Sequence, residues 1–118
     1  MKRAELRIPD YIAHILEAIN RIAEYTAAMD EDSFLKNRLV QDAAIRNIEV
    51  IGETARNIER ASPAFIAEHH SIPWGTMIAM RNRVSHGYMT INFSLVWKTI
   101  RNDLPALEKP IRELHNGA

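Results

Sequence analysis

Two guanidinium groups, an amide, a hydroxyl, an imidazole and a phenol fall within eight consecutive positions, in the run Met80-Arg81-Asn82-Arg83-Val84-Ser85-His86-Gly87-Tyr88. On a helix, Asn82 and His86 are four apart and share a face, so the amide can select the imidazole tautomer and orient the ring. Arg81 and His86 are five apart, about 140° around a helix of 3.6 residues per turn. They converge only on a ligand lying across the helix, or when two chains face each other to complete one site. Gly87 is a natural helix stop, which puts His86 near a C-terminus where the dipole favours the imidazolium.

These groups suit cleavage of an RNA phosphodiester by the ribose 2′-hydroxyl. That reaction needs a base for the hydroxyl and an acid for the leaving 5′-oxygen, and imidazole does either near neutral pH. It also needs donors for charge building on the non-bridging oxygens, which arginine supplies bidentately. No metal is required and no metal cluster stands out. His69 and His70 are adjacent, point about 100° apart on a helix and chelate poorly. Spacing alone still favours a plainer reading, because an Arg and a His on one surface helix are usually solvated or capping.

The elements that must position this run are helical nearly throughout. Ile12, Ile15, Leu16, Ile19, Ile22 and Ala23 recur at helical steps after Pro9-Asp10. Asp10 is the expected N-cap, and this helix should reach about Met29, where Asp30-Glu31-Asp32 begins a turn. Residues 33–36 fit a short helical turn. The longest helix is expected over about 39–61, with Ala44, Ile48, Ile51, Ala55 and Ile58 in one apolar stripe. Gly52 lies beside that stripe; its propensity cost of roughly 1 kcal/mol suggests close approach of another helix. Ser62-Pro63 reads as the cap and first position of a short helix to about His69.

The motif helix follows Ile72-Pro73, with Trp74, Met77, Ile78, Met80 and Val84 as its apolar set. Asn92 is the expected cap of a last helix through Phe93, Leu95, Val96, Trp97, Ile100 and Leu104, which Pro105 and Pro110 should kink or interrupt. Nothing alternates with period two for long enough to need a sheet. The fold class is all-α, an antiparallel bundle of four or five helices forming a single domain over 1–118.

The 118 residues, 47% apolar and 25% charged, suffice for one core and leave little for a second domain. The absence of cysteine excludes disulfides, thiol nucleophiles and Cys-based metal sites. With no long apolar run and no signal-peptide pattern, a cytoplasmic location away from membranes is expected. Fifteen basic residues balance fifteen acidic ones, which argues against a uniformly basic nucleic-acid-binding protein. The balance is uneven, however. Residues 69–102 contain no Asp or Glu but hold Arg81, Arg83, Lys98 and Arg101, a formal +4 against −4 elsewhere. An anionic partner there competes with a solvated surface as the explanation.

Arg81-Asn82-x-x-x-His86-x-Tyr88 resembles the Arg-x4-His-x-Tyr signature of HepT-like proteins in the HEPN superfamily. The likeness covers nearly the whole chain. Asp10-Tyr11-Ile12-x-His14-Ile15-Leu16-x-Ala18-Ile19 is similar to that family's first helix, and Asp42-Ala43-x-x-Arg46-Asn47-Ile48-Glu49-x-Ile51-Gly52-Glu53-x-Ala55 to its second. Ile72-Pro73-Trp74 precedes the motif and Val96-Trp97 follows it, as in the family. The resemblance implies a metal-independent endoribonuclease without cofactor, the toxin of a type VII-like toxin–antitoxin pair. It further implies a homodimer with the two motifs facing across a cleft. Arg81 would hold the reacting phosphate, His86 would be the acid/base catalyst, and Asn82 would orient either. Tyr88 matches the tyrosine adenylylated by a minimal nucleotidyltransferase antitoxin. The rival is a non-catalytic nucleotide-binding or docking subunit of a nucleotidyltransferase.

Glu53 reads as a buried helix-pairing carboxylate, with orientation of Arg81 as its alternative. Arg83 is an RNA backbone contact or a surface salt bridge. Lys98 and Arg101 extend a phosphate track or form a solvated face, the latter being the better single guess. His14 is expected to be structural, Tyr11 and Tyr25 core-edge aromatics, and Met77, Met80 and Met89 packing residues.

Overall fold

The computed structural model describes residues 7–85 and 91–117, without the side chains of residues 84 and 85. Within these residues the chain is all-α, as the sequence patterning predicts, with four long helical elements and two short ones. Helix α1 spans Ile8–Thr26, α2 Glu31–Leu35, α3 Arg38–Ala61, α4 Pro63–Glu68 and α5 Trp74–Ser85. The last long element joins α6, Phe93–Lys98, through a π-helical turn, Thr99–Asp103, to α7, Leu104–Gly117.

Helix α1 begins earlier than expected. Arg7 occupies the N-cap position without a side-chain cap bond, and Asp10 lies in the first turn. Pro9 explains the shift, because its fixed φ suits the first turn and its missing N–H has no helical acceptor there. Asp10 therefore faces the positive end of the dipole but does not cap. The helix also stops at Thr26, short of Met29. The Thr26 hydroxyl donates back to the Ile22 carbonyl at 2.8 Å, and the Met29 amide closes a tight turn on the Thr26 carbonyl at 3.1 Å.

The acidic run expected as a turn instead opens α2. Asp30 accepts from the Ser33 amide at 2.8 Å, and the Ser33 hydroxyl accepts from the Asp30 amide at 3.0 Å, a reciprocal capping box. The Ser33 amide, followed by its hydroxyl, holds the Asp30 carboxyl below its ordinary pKa. A carboxyl depressed in the folded state stabilises above its unfolded pKa, and that contribution fades as pH falls through the lowered value. The only large side chain α2 buries is Phe34, whose ring lies 5.2 Å from that of Trp97.

Helix α3 is the central element, packed mainly on α1 and α5, while α7 returns against α1. Asn37 caps it by accepting from the Val40 amide at 3.0 Å. Ala44, Ile48, Ile51, Ala55 and Ile58 are fully buried, so the predicted stripe is the core-facing edge. From α1, Ile12, Ile15, Ile19 and Ile22 meet it; Met77 and Met80 do so from α5. Ser62 caps α4 by accepting from the Phe65 amide, and the Trp74 indole donates to the His69 carbonyl at 3.0 Å, fixing the start of α5.

Asn92 caps α6 as expected, accepting from the Leu95 amide. Neither proline breaks the path that follows. The Leu104 amide donates to the Thr99 carbonyl five residues back, widening the turn immediately ahead of Pro105. A regular α-turn would press the Pro105 ring on the carbonyl four residues earlier, and the wider turn accommodates it. Pro110 lies inside α7.

Ile51→Ala should cost about 2–5 kcal/mol in chemical denaturation and Ile51→Val about 0.5–1.5 kcal/mol, the cavity series of a closed core. Equal, negligible losses for both would show that the α3 stripe is not buried.

Candidate functional site

Helix α5 presents Arg81 and Asn82, which open the motif, because its inner face is pinned at Trp74, Met77 and Met80, which are at most 4% exposed. With Met80 inward, Arg81 falls at the edge facing α3, and Asn82 and Arg83 are exposed. The expected close approach occurs at Gly52. A Cβ there would lie 2.4 Å from the Arg81 Cβ and 3.1 Å from the Met77 carbonyl oxygen. The helices thus cross with the base of the motif arginine against the one α3 position that lacks a side chain.

One residue on, Glu53 meets the same arginine. Arg81 Nε stands 3.5 Å from Glu53 Oε2, with the two side chains 36% and 50% exposed. Glu53 is therefore half open to solvent rather than buried, and its partner is the motif arginine. Such a pair stabilises by no more than about 1 kcal/mol. Its consequence is orientation: engaged through Nε, the guanidinium keeps two terminal nitrogens as donors. Arg81 and Glu53 share an open cleft of about 300 Å³ with Arg46, Glu49, Val50 and Thr54.

The other cations of the acid-free window do not gather on this cleft. Arg83 Nη2 pairs with Asp103 Oδ2 at 3.2 Å, tying α5 to the π-turn. Arg101 donates to the carbonyls of Thr26 and Met29 at the end of α1, and its guanidinium carbon lies 4.3 Å from the Trp97 ring centroid. It thereby satisfies the last carbonyl of α1 and one in the turn that follows, and lines a separate groove with Ile19 and Leu104. Lys98 is exposed. Tyr11 packs at the core edge as expected, whereas Tyr25 is 42% exposed and His14 is exposed. His86, Gly87, Tyr88 and Met89 lie outside the described residues.

Arg46 and Glu49, which line this cleft, were not among the candidate site residues. Their signal was available in the steps Arg46, Glu49, Val50 and Glu53, which put four cleft residues on one face of α3. Asp103, twenty positions from Arg83, carried no such signal.

The sequence that folds into this bundle matches a family model. That family is described as ribonuclease HepT-like, and the match covers residues 15–114. The chain belongs to the HepT-like ribonuclease family. It is 36% identical over 114 residues to the "Probable ribonuclease HepT" of Thermococcus cleftensis, covering 97% of this chain and 98% of that one. It is 30% identical over 104 residues to the "Putative RNase TTE0752" of Caldanaerobacter subterraneus, covering 88% and 90%. A "Gamma-glutamylcyclotransferase and putative RNase" of Methanocaldococcus jannaschii is 36% identical over 104 residues, where the match spans 88% of this chain and 46% of the longer relative. No solved structure matches the chain. Among the described residues, no helix is long and apolar enough to cross a membrane.

Gly52→Ala should destabilise by about 1–3 kcal/mol despite alanine's better helix propensity, because the new methyl meets backbone-proximal atoms. A Cβ at Gly75 would have nothing within 4 Å, so that position should instead tolerate alanine or gain up to about 1 kcal/mol. Thermal unfolding of the two variants checks the pair; a neutral Gly52→Ala would mean that the helices do not cross there.

Proposed function

We propose that the chain is a metal-independent endoribonuclease working through Arg81 and His86, and the toxin of a toxin–antitoxin pair. The observation that carries this reading is the Gly52 crossing with Glu53 on Arg81 Nε, which holds the motif guanidinium over an open cleft. In the proposed reaction an imidazole takes the proton of a ribose 2′-hydroxyl. The 2′-oxygen attacks the adjacent phosphorus, the bond to the 5′-oxygen breaks, and that oxygen takes a proton from an imidazolium. Arg81 donates to the non-bridging oxygens as their charge builds. The products are a 2′,3′-cyclic phosphate and a free 5′-hydroxyl. Asn82 orients the histidine or the phosphate.

One histidine cannot be base and acid at once, which favours a homodimer in which two motifs face one cleft. Tyr88 stands two residues beyond His86, so its adenylylation by a minimal nucleotidyltransferase would add bulk and negative charge beside the phosphate and block RNA. The proposed setting is the cytoplasm, where RNA and a nucleotidyltransferase partner are both available.

Purified protein should cut RNA in the presence of chelator and leave 2′,3′-cyclic ends. His86→Ala should slow cleavage about 10²–10⁴-fold and Arg81→Ala about 10²–10³-fold, both remaining folded. Cleavage that survives His86→Ala, or that demands a divalent metal, contradicts the mechanism and favours a docking role. Co-expression with the partner nucleotidyltransferase should add an AMP mass to the peptide holding Tyr88 and abolish cleavage; modification elsewhere counts against the regulation.

A further inference from the structure

The cleft beside Arg81 is not simply basic. Along one face of α3 come Arg46, Glu49, Val50 and Glu53, with Arg81 closing the far end from α5. Glu53 is engaged by Arg81. Among the described residues, Arg46 and Glu49 make no ion pair within 4.0 Å, although they are three apart and their Cβ atoms sit about 5–6 Å from each other. Arg46 is exposed, Glu49 and Val50 are half-buried, and Thr54 is buried at 7% exposure.

A second phosphate is a poor occupant for this end of the cleft, since it would meet the Glu49 carboxylate directly and Glu53 one turn away. A neutral ligand offering donors and acceptors side by side fits better. A nucleobase is that ligand, and single-stranded RNA presents its base edges for such reading. We propose that Arg46 and Glu49 form a base-reading subsite for guanine, next to the phosphate held by Arg81. The proposal rests on the ribonuclease reading above. Guanine alone among the four bases carries two adjacent N–H groups, N1–H and N2–H, that can donate to both oxygens of one carboxylate. Its O6 and N7 then accept from the Arg46 guanidinium. The half-buried Val50 supplies apolar surface for the ring face, and the cleft gives it room. Glu49 and Arg46 select which phosphodiester reaches Arg81 without touching the reacting atoms, so they set specificity and are not catalytic.

The test is cleavage of a random single-stranded RNA pool by the full chain, with the cut positions read by sequencing and His86→Ala as the blank. The wild type should favour guanine by about tenfold at one position flanking the cut. Glu49→Gln, which replaces one acceptor with a donor, should collapse that preference while cleavage at other bases changes less than about threefold. Arg46→Gln should weaken the preference in the same way. A wild type without base preference, or a preference that persists in both variants, overturns the subsite. A uniform loss across all sequences in Arg46→Gln marks a phosphate contact and overturns it too. His86-dependent cutting without base preference removes only the subsite, whereas absence of any His86-dependent cutting removes the ribonuclease reading and the subsite together.

Discussion

The approach of α5 to α3 at Gly52 constrains the rest of the site. With the Arg81 Cβ only 2.4 Å from where a side chain would begin, the two helices can pack at this depth only because position 52 has none. The same contact fixes the rotation of α5: Met77 and Met80 go fully inward, and Arg81 is left at the helix edge beside Glu53. Packing and site geometry thus arise from one crossing. Glycine lowers the helix propensity of α3, and the buried isoleucine stripe on either side offsets that loss many times over.

Electrostatics follows from the same arrangement. The acid-free window, +4 by sequence, is less of an open positive field than that number suggests. Arg101 is turned to carbonyls at the end of α1, and Arg83 is matched by Asp103, the first acidic residue beyond the window. What reaches the cleft is a guanidinium held by a half-exposed carboxylate, together with an arginine–glutamate couple one to two turns along α3. A neutral chain with a mixed-charge cleft is suited to local, oriented contacts with RNA rather than to indiscriminate attraction along its backbone.

Much of this was legible in the sequence, for identifiable reasons. Apolar steps of three and four placed α1, α3 and α5, since burial of one stripe dominates helix packing. Ser62-Pro63 and Asn92 marked helix starts correctly because cap chemistry is local. Asp10 misled: the rule names a residue type, while Pro9 beside it already permits an earlier start. Asp30 misled in the other direction, since an acidic run reads as a turn until Ser33 is seen to close the capping box. Gly52 announced a close approach but not its partner, because which helix crosses there is a long-range outcome. The ion pairs Glu53–Arg81 and Arg83–Asp103 are likewise tertiary: residue types offered Arg81 only as the alternative partner of Glu53, and a surface salt bridge for Arg83 without its partner. Family membership, by contrast, was carried by residues spread along nearly the whole chain, and the match over residues 15–114 agrees with it.

Through Arg81, the helix crossing governs the proposed chemistry. The most direct test is the single-turnover rate of RNA cleavage in chelator, per folded molecule, for Gly52→Ala beside Gly75→Ala and the wild type. Displacing a phosphate-binding group by about 1 Å can cost a hundredfold, so Gly52→Ala should lose about that much while Gly75→Ala cuts at the wild-type rate. Folded Gly52→Ala protein cutting as fast as the wild type would contradict the account.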